Sequence, residues 1–208
     1  IKDGMRAANG AIERLQLIND QINYKTIGGL PPVGLCGSGI LDAIAQLYLA
    51  DIINKDGRIN SHPRVRMRRK QREFVLISQE ERGSAPAITI TQKDVREIQL
   101  AKAAIRSGIK VLLQERGYSE KEIRKVIIAG AFGSYINVMS AVNIGMLPRL
   151  PLGHFQQVGN AAGIGAKLAL LSISKRVEAQ DIASGASYIE LATAPHFEEI
   201  FSQATYLE

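Results

Sequence analysis

The sequence predicts an α/β layered fold, and three observations support this. Patterns typical of strands alternate with patterns typical of helices along most of the 208 residues, as layered α/β folds require. Residues 126–129 (Val-Ile-Ile-Ala) are apolar without alternation, which is typical of a strand buried on both faces of a parallel sheet. Residues 92–116 carry an apolar stripe at helical spacing, which predicts the longest helix.

The first half of the chain contains short strand signals and one glycine-rich helix start. We interpret residues 1–11 as the end of an earlier element and residues 23–27 as a short strand, followed by a glycine and proline turn. A helix is predicted to begin within Cys36-Gly37-Ser38-Gly39 and to stop near Asp51. Two further strands are predicted at 74–77 and 87–91.

Capping residues predict the ends of the long helix. Thr91 with Asp94 three residues later is an N-cap signal, and Gly117 is well suited to end the helix. Ser119 and Glu122 form a second capping pattern, which predicts a short helix after it.

The second half repeats a strand, a glycine turn and a helix start. The strand at 126–129 leads into Gly130-Ala131-Phe132-Gly133, and a strand at 155–158 leads into a small-residue helix that ends near Leu171. Beyond it the sequence predicts, in order, a helix at 177–183, a strand at 188–193 and a last helix from Pro195.

Composition excludes several classes of protein. Hydrophobic residues make up 46% and charged residues 22%, ordinary globular values that argue against disorder. The single cysteine, Cys36, rules out an internal disulfide framework. No apolar run approaches the roughly 20 residues that span a bilayer. We expect a cytoplasmic protein, and the start at Ile1 without a signal peptide or methionine leads us to expect a fragment of a longer chain.

Much of the net charge of +6 lies in one basic run. Its members are Arg64, Arg66, Arg68, Arg69, Lys70 and Arg72. Two interpretations stay open: the solvated edge of a hairpin, because basic residues alternate with Val65 and Met67, or a docking site for nucleic acid or an acidic partner. We favour the hairpin edge. No aromatic residue interleaves the run, which disfavours single-stranded nucleic acid.

The turn after the strand at 126–129 is the strongest candidate site. A strand that ends in glycine points its carboxyl end at the crevice where α/β folds bind ligands. Gly130 and Gly133 would let the backbone approach a ligand closely, and the next helix start would offer N–H groups and a positive dipole end to phosphate or ribose oxygens. The alternative is that these glycines only turn the chain tightly.

The start of the first helix is the second candidate. Ser38 either caps the helix or hydrogen-bonds a ligand hydroxyl, and we favour the cap. Asp42 lies one turn later on the same face; it could accept ribose hydroxyls, although a solvated helix face is our preferred interpretation. Cys36 is interpreted as a small buried apolar group.

The third candidate is a nearly bare helix face that would pack closely against a helix or a sheet. It consists of Gly159, Ala161, Ala162, Gly163, Gly165 and Ala166. Neither a dinucleotide-binding fingerprint nor a P-loop is present, and the single cysteine and three histidines lack metal-ligand spacing.

These motifs, in this order, resemble one family: the ATP-dependent reductive activators of corrinoid iron–sulfur proteins and corrinoid methyltransferases. The stretches that carry the resemblance are GMRA (4–7), KTIGG (25–29), GLCGSGILD (34–42), IAGAFGSYI (128–136), 141–148 and VGNAAG (158–163). They lie within residues 2–171, so the resemblance covers most of the chain.

The resemblance implies that residues 1–208 are the C-terminal part of an actin-like ATPase domain, a ribonuclease H-like lobe with a mixed sheet flanked by helices. The phosphate-binding loops and the iron–sulfur module of the family would lie before Ile1. We therefore expect this chain alone neither to carry electrons nor to hydrolyse ATP well.

The resemblance also implies which residues line the adenosine side of a nucleotide site. They are Gly37, Ser38, Gly39, Asp42, Gly130, Ala131, Phe132, Gly133 and Asn160. Residues 159–163 resemble the interlobe helix, packed closely against its counterpart. No catalytic residue and no metal ligand is expected in the chain itself.

The implied function is help in reducing a cobalt(II) corrinoid to cobalt(I). The expected cofactors are ATP with Mg in the full-length protein and an iron–sulfur cluster in its N-terminal part. The expected partner is a corrinoid protein or a corrinoid methyltransferase, with no nucleic acid and no membrane; a homodimer stays open. The alternatives are another actin-like ATPase, such as a hydroxyacyl dehydratase activator or a kinase, and a non-catalytic partner-binding module.

Overall fold

A mixed three-stranded sheet and the helix that covers it form the first part of the molecule. The computed structural model describes residues 1–83 and 85–208. Strands β1 (Ala11–Ile18) and β2 (Gln21–Thr26) pair antiparallel, and β3 (Gly34–Leu35) joins β1 in parallel. Helix α1 (Gly37–Leu49) follows β3 directly and packs on β1.

The second sheet is an antiparallel meander that leads into the longest helix. Strands β4 (Val65–Arg68), β5 (Gln71–Ile77) and β6 (Ile88–Thr91) pair in that order, and α2 (Gln92–Glu115) starts directly after β6. Thr91 and Asp94 form the predicted capping box: each side chain accepts a hydrogen bond from the backbone N–H of the other residue. Both the helix and its N-cap are therefore confirmed.

The third sheet has two parallel strands, each followed by a helix. Strand β7 (Val126–Ala129) runs into α3 (Ala131–Tyr135) and then α4 (Val138–Asn143), and β8 (Phe155–Gly159) pairs with β7. The Ser119–Glu122 capping box is present on a single 3₁₀ turn before β7.

Three helices complete the chain. Helices α5 (Ala161–Leu171) and α6 (Ile173–Gly185) pack against each other, and neither has a buried residue. Helix α7 (Phe197–Ala204) returns to pack on α2.

The hydrophobic core lies between α1, the first two sheets and the segment around α4. Its largest fully buried apolar side chains are Phe74, Ile12, Leu35, Leu41, Ile44, Leu47, Ile53, Ile59, Leu76, Ile77 and Ile88. Each such side chain contributes roughly 1.5–3 kcal/mol by leaving water. This core therefore fixes α1 and β1, which carry one wall of the candidate site.

Two expectations from the sequence are wrong. Strand β7 is not buried on both faces: within this chain it pairs with β8, and Ile127 is 61% exposed. No strand forms at 188–193, because this segment has no neighbouring strand and Glu190 caps a 3₁₀ turn there instead. Residues 1–10, here called the strap, precede β1, and residues 3–5 of the strap lie along β3, where Gly4 bridges Leu35. That the strap ends an earlier element stays a prediction, although Ala11 already belongs to β1.

Replacing Gly39 by alanine tests the close contact between α1 and β1. A Cβ there would lie 2.0 Å from the carbonyl oxygen of Ile12, which is backbone and cannot move away cheaply. We expect Gly39→Ala to lower the free energy of unfolding by about 3 kcal/mol, as overpacking does at a tight site.

The matched control is Gly108→Ala in the interior of α2, where the nearest atom to a Cβ is 3.6 Å away. That change should raise stability by about 1 kcal/mol, because alanine is the better helix former. Urea denaturation followed by circular dichroism measures both. Equal effects of the two substitutions would contradict the contact.

Candidate functional site

A cavity of about 550 Å³ opens between the start of α1 and the start of α3. Its volume lies within the range of small-molecule sites. The lining residues are Met5, Arg6, Ala7, Glu13, Ile27, Cys36, Gly37, Ser38, Ala131, Phe132 and Tyr135. The structure thus brings together two motifs that stand almost a hundred residues apart in the sequence.

Gly37 and Phe132 meet at the back of this cavity. A Cβ on Gly37 would lie 2.7 Å from Cε2 of the Phe132 ring, so only glycine lets the ring lie where it does. Phe132 is 50% exposed. Its ring therefore forms a flat, half-open apolar wall of the cavity.

The turn between β7 and α3 depends on the backbone of Gly130. Its φ of 94° and ψ of 164° belong to a region that essentially only glycine occupies. The Gly130 N–H donates to the carbonyl of Gly159 at 2.7 Å, which ties the ends of β7 and β8 together. A Cβ at Gly130 would have no neighbour within 4 Å, so conformation and not space requires glycine here.

Helix α3 is short. It has five residues, so its dipole is weak compared with that of a full helix. Two side chains hold it in place: Arg14 of β1 donates to the carbonyl of Tyr135, and Gln157 of β8 donates to the carbonyl of Gly133 at 2.6 Å.

Gly39 and Gly133 lie behind the cavity wall. Gly39 is buried against the backbone of Ile12, and a Cβ on Gly133 would lie 2.7 Å from Cγ2 of Ile128. Close packing explains both glycines. They position α1 and α3, which carry the residues that face the cavity.

Ser38 is not the cap of α1. Cys36 is the N-cap residue and makes no side-chain cap; its thiol donates to the carbonyl of Ile12 at 3.3 Å. The Ser38 hydroxyl is only 3% exposed and lies 3.3 Å from the Cys36 sulfur. The expected cap is therefore wrong because the helix begins earlier. The expected burial of Cys36 is confirmed, although its thiol also makes hydrogen bonds.

Asp42 is buried, although a solvated helix face was expected. Its side chain is 1% exposed; Oδ2 accepts the Leu15 N–H at 3.3 Å, while Oδ1 has no hydrogen-bond partner among the described residues. Burial raises the pKa of Asp42, and the Ser140 hydroxyl, the Leu15 N–H and the Arg14 charge oppose that rise.

Asp42 also lines a different cavity from Ser38. This second cavity of about 340 Å³ is bordered by Arg14, Gln46 and Asn137 as well. Ser38 and Asp42 therefore line different cavities, although helical periodicity places them on one face of α1. The contact of α1 with β1 separates the two cavities.

Asn160 lies outside the first cavity. It is the N-cap of α5, where Oδ1 accepts the Gly163 N–H at 3.0 Å. A Cβ on Gly165 would have no neighbour within 4 Å. The close packing predicted for the bare face of α5 therefore stays a prediction, because no other described element covers it.

Sequence reasoning missed the residues that the strap and β1 contribute. Met5, Arg6 and Ala7 belong to the strap, and Glu13 to β1. Arg6 is exposed and makes no ion pair with the described residues, whereas Glu13 pairs with Lys25 at 3.1 Å. The signal that could have found the strap residues is the GMRA stretch (4–7). This stretch carries part of the family resemblance, but none of its residues was assigned to the site.

The whole chain, residues 1–208, matches the family model described as the C-terminal domain of RACo, the ASKHA domain. The fold is thus that of an actin-like lobe, with sheets flanked by helices. The chain belongs to the RACo C-terminal domain family, which confirms the resemblance found in the sequence.

Two curated relatives and one solved structure agree with this family. The chain is 40% identical over 212 residues to the corrinoid activation enzyme RamQ of Eubacterium limosum, covering 97% of this chain and 36% of that protein. It is 26% identical over 175 residues to the [Co(II) methylated amine-specific corrinoid protein] reductase of Methanosarcina barkeri, covering 83% and 29%.

The solved structure is a reductive activator for corrinoid, iron–sulfur protein. It superposes with a TM-score of 0.91 at 40% identity, over 100% of this chain and 34% of that one. The chain therefore spans about a third of the length of the proteins that it matches. Within its described residues, no helix is both long and apolar enough to cross a membrane.

Asp42→Asn tests the cost of the buried carboxylate. Because burial raises the folded-state pKa above the ordinary 3.8, ionisation of Asp42 lowers stability as the pH rises through that raised pKa. At pH 7 we expect the variant to unfold at a higher temperature than the wild type, with the difference vanishing as the pH falls below 3.8.

Asp181→Asn is the control, because Asp181 is exposed on α6, and it should leave the profile unchanged. Thermal unfolding across the pH range is the measurement. A lower melting temperature for Asp42→Asn at pH 7 would show that the charge of Asp42 stabilises the fold.

Proposed function

We propose that the chain forms the adenosine-side wall of the nucleotide site in an ATP-dependent reductive activator of corrinoid proteins. The observation that carries this proposal is the cavity that joins Gly37 and Ser38 of α1 to Ala131 and Phe132 of α3. The relatives, which are named as activators or reductases of corrinoid proteins, supply the class of partner.

The cavity suits a purine nucleoside. The Phe132 ring offers a flat surface on which a base can stack, an interaction worth roughly 1–3 kcal/mol. The strap residues Met5 and Ala7 supply further apolar lining of the cavity. Arg6, exposed at the rim, can pair with a phosphate through charge-assisted hydrogen bonds.

The chain does not supply a site for Mg. Among the described residues that line the cavity, Glu13 carries the one carboxylate, and Lys25 pairs with it at 3.1 Å. Mg²⁺ needs several oxygen ligands in octahedral geometry. We therefore place the metal and the phosphate-binding loops on the opposite lobe of the longer protein.

The chain does not fit an iron–sulfur cluster either. Its single cysteine, Cys36, is buried and engaged with the Ile12 carbonyl, and such clusters are held by sets of thiolates. The electron path of the longer protein thus runs outside residues 1–208.

The role of this wall in the reaction is mechanical. ATP supplies binding free energy that differs between an open and a closed arrangement of the two lobes, and binding shifts the population toward the closed form. The closed form would hold the corrinoid partner so that its cobalt(II) is reduced to cobalt(I) more easily. The residues of this chain bind and orient the base and exclude water from it.

The rate of cobalt(II) reduction in the full-length protein tests this function. With its corrinoid partner and an electron donor present, reduction should be faster with ATP than without it. Equal rates with and without ATP would contradict the proposal. Phosphorylation of a small molecule at the expense of ATP would instead favour a kinase, the alternative within the same fold.

A double-mutant cycle between Gly37 and Phe132 tests the placement of the base. Gly37→Ala should push the ring into the cavity, and Phe132→Ala should remove the stacking surface. Each change should weaken ATP binding by about tenfold, or 1.4 kcal/mol. In the Phe132→Ala background, Gly37→Ala should cause almost no further loss of ATP affinity, because the ring that it would displace is absent.

Isothermal titration calorimetry on the full-length protein measures all four forms. Gly153→Ala serves as control, because a Cβ there meets no atom within 4 Å and Gly153 lies outside the cavity. Fully additive losses would mean that the base does not lie against Phe132.

A further inference from the structure

The basic run divides into residues with partners inside the fold and residues without them. Arg64 donates to the carbonyl of Leu76, Arg66 pairs with Glu73 at 2.8 Å, and Arg72 donates to the carbonyl of Ile59. The preferred interpretation as a hairpin edge is confirmed for Arg66 and Arg68, because both lie on β4, the outer strand of its sheet.

The other three residues form the end of the β4–β5 hairpin. Arg68, Arg69 and Lys70, here called the basic tip, are exposed and make no hydrogen bond or ion pair through their side chains with any described residue. Like charges this close repel one another, so the tip does not gain stability from them.

The turn at the tip is also not built for hairpin stability. Arg68 pairs with Gln71, and the two residues between them have φ of 48° at Arg69 and 64° at Lys70. Two-residue turns of this kind favour Asn-Gly, and a bulky residue in the left-handed region costs roughly 1–2 kcal/mol. Neither local conformation nor internal contacts explain why basic residues stand here.

Arg68 and Arg69 of the basic tip border a cleft that Lys93 of α2 and Lys2 also line. The cleft has a volume of about 440 Å³ and lies between the tip and the start of α2, where Lys93 is exposed. A lysine in the first turn of a helix opposes the helix dipole, so Lys93 does not stabilise α2 either.

Of the two carboxylates that border the cleft, Glu73 is paired with basic side chains and Asp94 is hydrogen-bonded to neutral groups. Burial alone would raise the pKa of Glu73, but hydrogen bonds from Arg66 and Lys2 lower it, and Lys2 contacts it at 3.0 Å. Asp94 accepts the backbone N–H and the hydroxyl of Thr91 in the helix cap. Among the described residues, the side-chain cations of this cleft that lack an ion pair are those of Arg68, Arg69 and Lys93. The Asp94 carboxylate beside Lys93 offsets part of their positive charge.

We propose that the basic tip, together with Lys93, is a docking site for an acidic surface of a protein partner. Arginine side chains bind carboxylates through two parallel hydrogen bonds, and the cleft gives an acidic side chain a place between two elements. Single-stranded nucleic acid is disfavoured because residues 64–73 contain no aromatic residue on which bases could stack. A membrane is disfavoured because a single large apolar side chain, Met67, is exposed among the described residues of the hairpin, which is too little to insert into a bilayer.

This docking site shares no residue with the cavity at Gly37 and Phe132. It rests on the proposed function only for the identity of the partner, which would then be the corrinoid protein. The site predicts fast, salt-dependent association, as complementary charges at the rim of an interface provide.

The test is a charge reversal in the full-length protein, Arg68→Glu with Arg69→Glu and Lys70→Glu. It should weaken binding of the corrinoid protein by about tenfold or more at low salt, mostly through slower association. ATP affinity should stay unchanged. The matched control reverses Lys121, Arg124 and Lys125, three exposed basic residues away from the cleft, and should leave partner binding unchanged.

A second variant separates docking from folding. Arg69→Asn with Lys70→Gly removes two charges and gives the turn its preferred residues, so it should raise the unfolding temperature while weakening partner binding several-fold. Surface plasmon resonance at several salt concentrations, with a thermal unfolding scan of each variant, measures both quantities.

Each outcome decides the inference. Equal binding of the corrinoid protein by the wild type, the reversed tip and the control overturns it. If the wild type binds no corrinoid protein, the proposed function fails, and a deca-glutamate peptide becomes the probe. Weaker binding of the peptide by the reversed-tip variant alone supports the docking site. Failure of the wild type to bind the peptide overturns the docking site. Loss of binding to anionic vesicles or to a single-stranded oligonucleotide, with protein and peptide unaffected, overturns the acidic protein partner.

Discussion

The carbonyl oxygen of Ile12 is the point on which the arrangement of the candidate site depends. It accepts the N–H and the thiol of Cys36 at 3.2 and 3.3 Å, and α1 passes so close above it that a Cβ at Gly39 would be 2.0 Å away. These contacts fix where α1 begins relative to β1. Since Gly37 lies inside that first turn, they also fix one wall of the cavity.

The opposite wall is held to the same strand by a different contact. Arg14 of β1 donates to the carbonyl of Tyr135 at the end of α3, and Gln157 of β8 holds the carbonyl of Gly133. Phe132 is carried between these two attachments, and its ring reaches Gly37. The cavity is therefore a consequence of how three elements pack. Glycine is required around it for three separate reasons: close packing at Gly39 and Gly133, the backbone conformation at Gly130, and room for the Phe132 ring at Gly37.

The sequence predicted the fold well wherever local signals were strong. The Thr91–Asp94 cap, the helix that it starts and the β7 and β8 strands with their glycine turns all formed as expected. The strand β1 escaped prediction because Glu13 and Arg14 interrupt its apolar pattern. The side of the cavity formed by the strap and β1 was therefore not predicted. No local sequence pattern shows that residues 5–7 line the same cavity as residues of α3.

The burial of Asp42 could not be predicted for a related reason. Helical periodicity places Asp42 and Ser38 on one face, but only the packing of α1 on β1 decides that this face is covered. The exposure of Ile127 is the opposite case: its apolar strand predicts burial, yet within this chain it pairs on one side alone.

Hydrogen exchange of the full-length protein, with and without a non-hydrolysable ATP analogue, tests the central claim most directly. The account predicts that the nucleotide slows exchange of the backbone amides at 36–39 and 130–133, and leaves those of the β4–β5 hairpin at 68–71 unchanged. Unchanged exchange at both glycine segments, with protection elsewhere in the chain, would contradict the placement of the nucleotide against this wall.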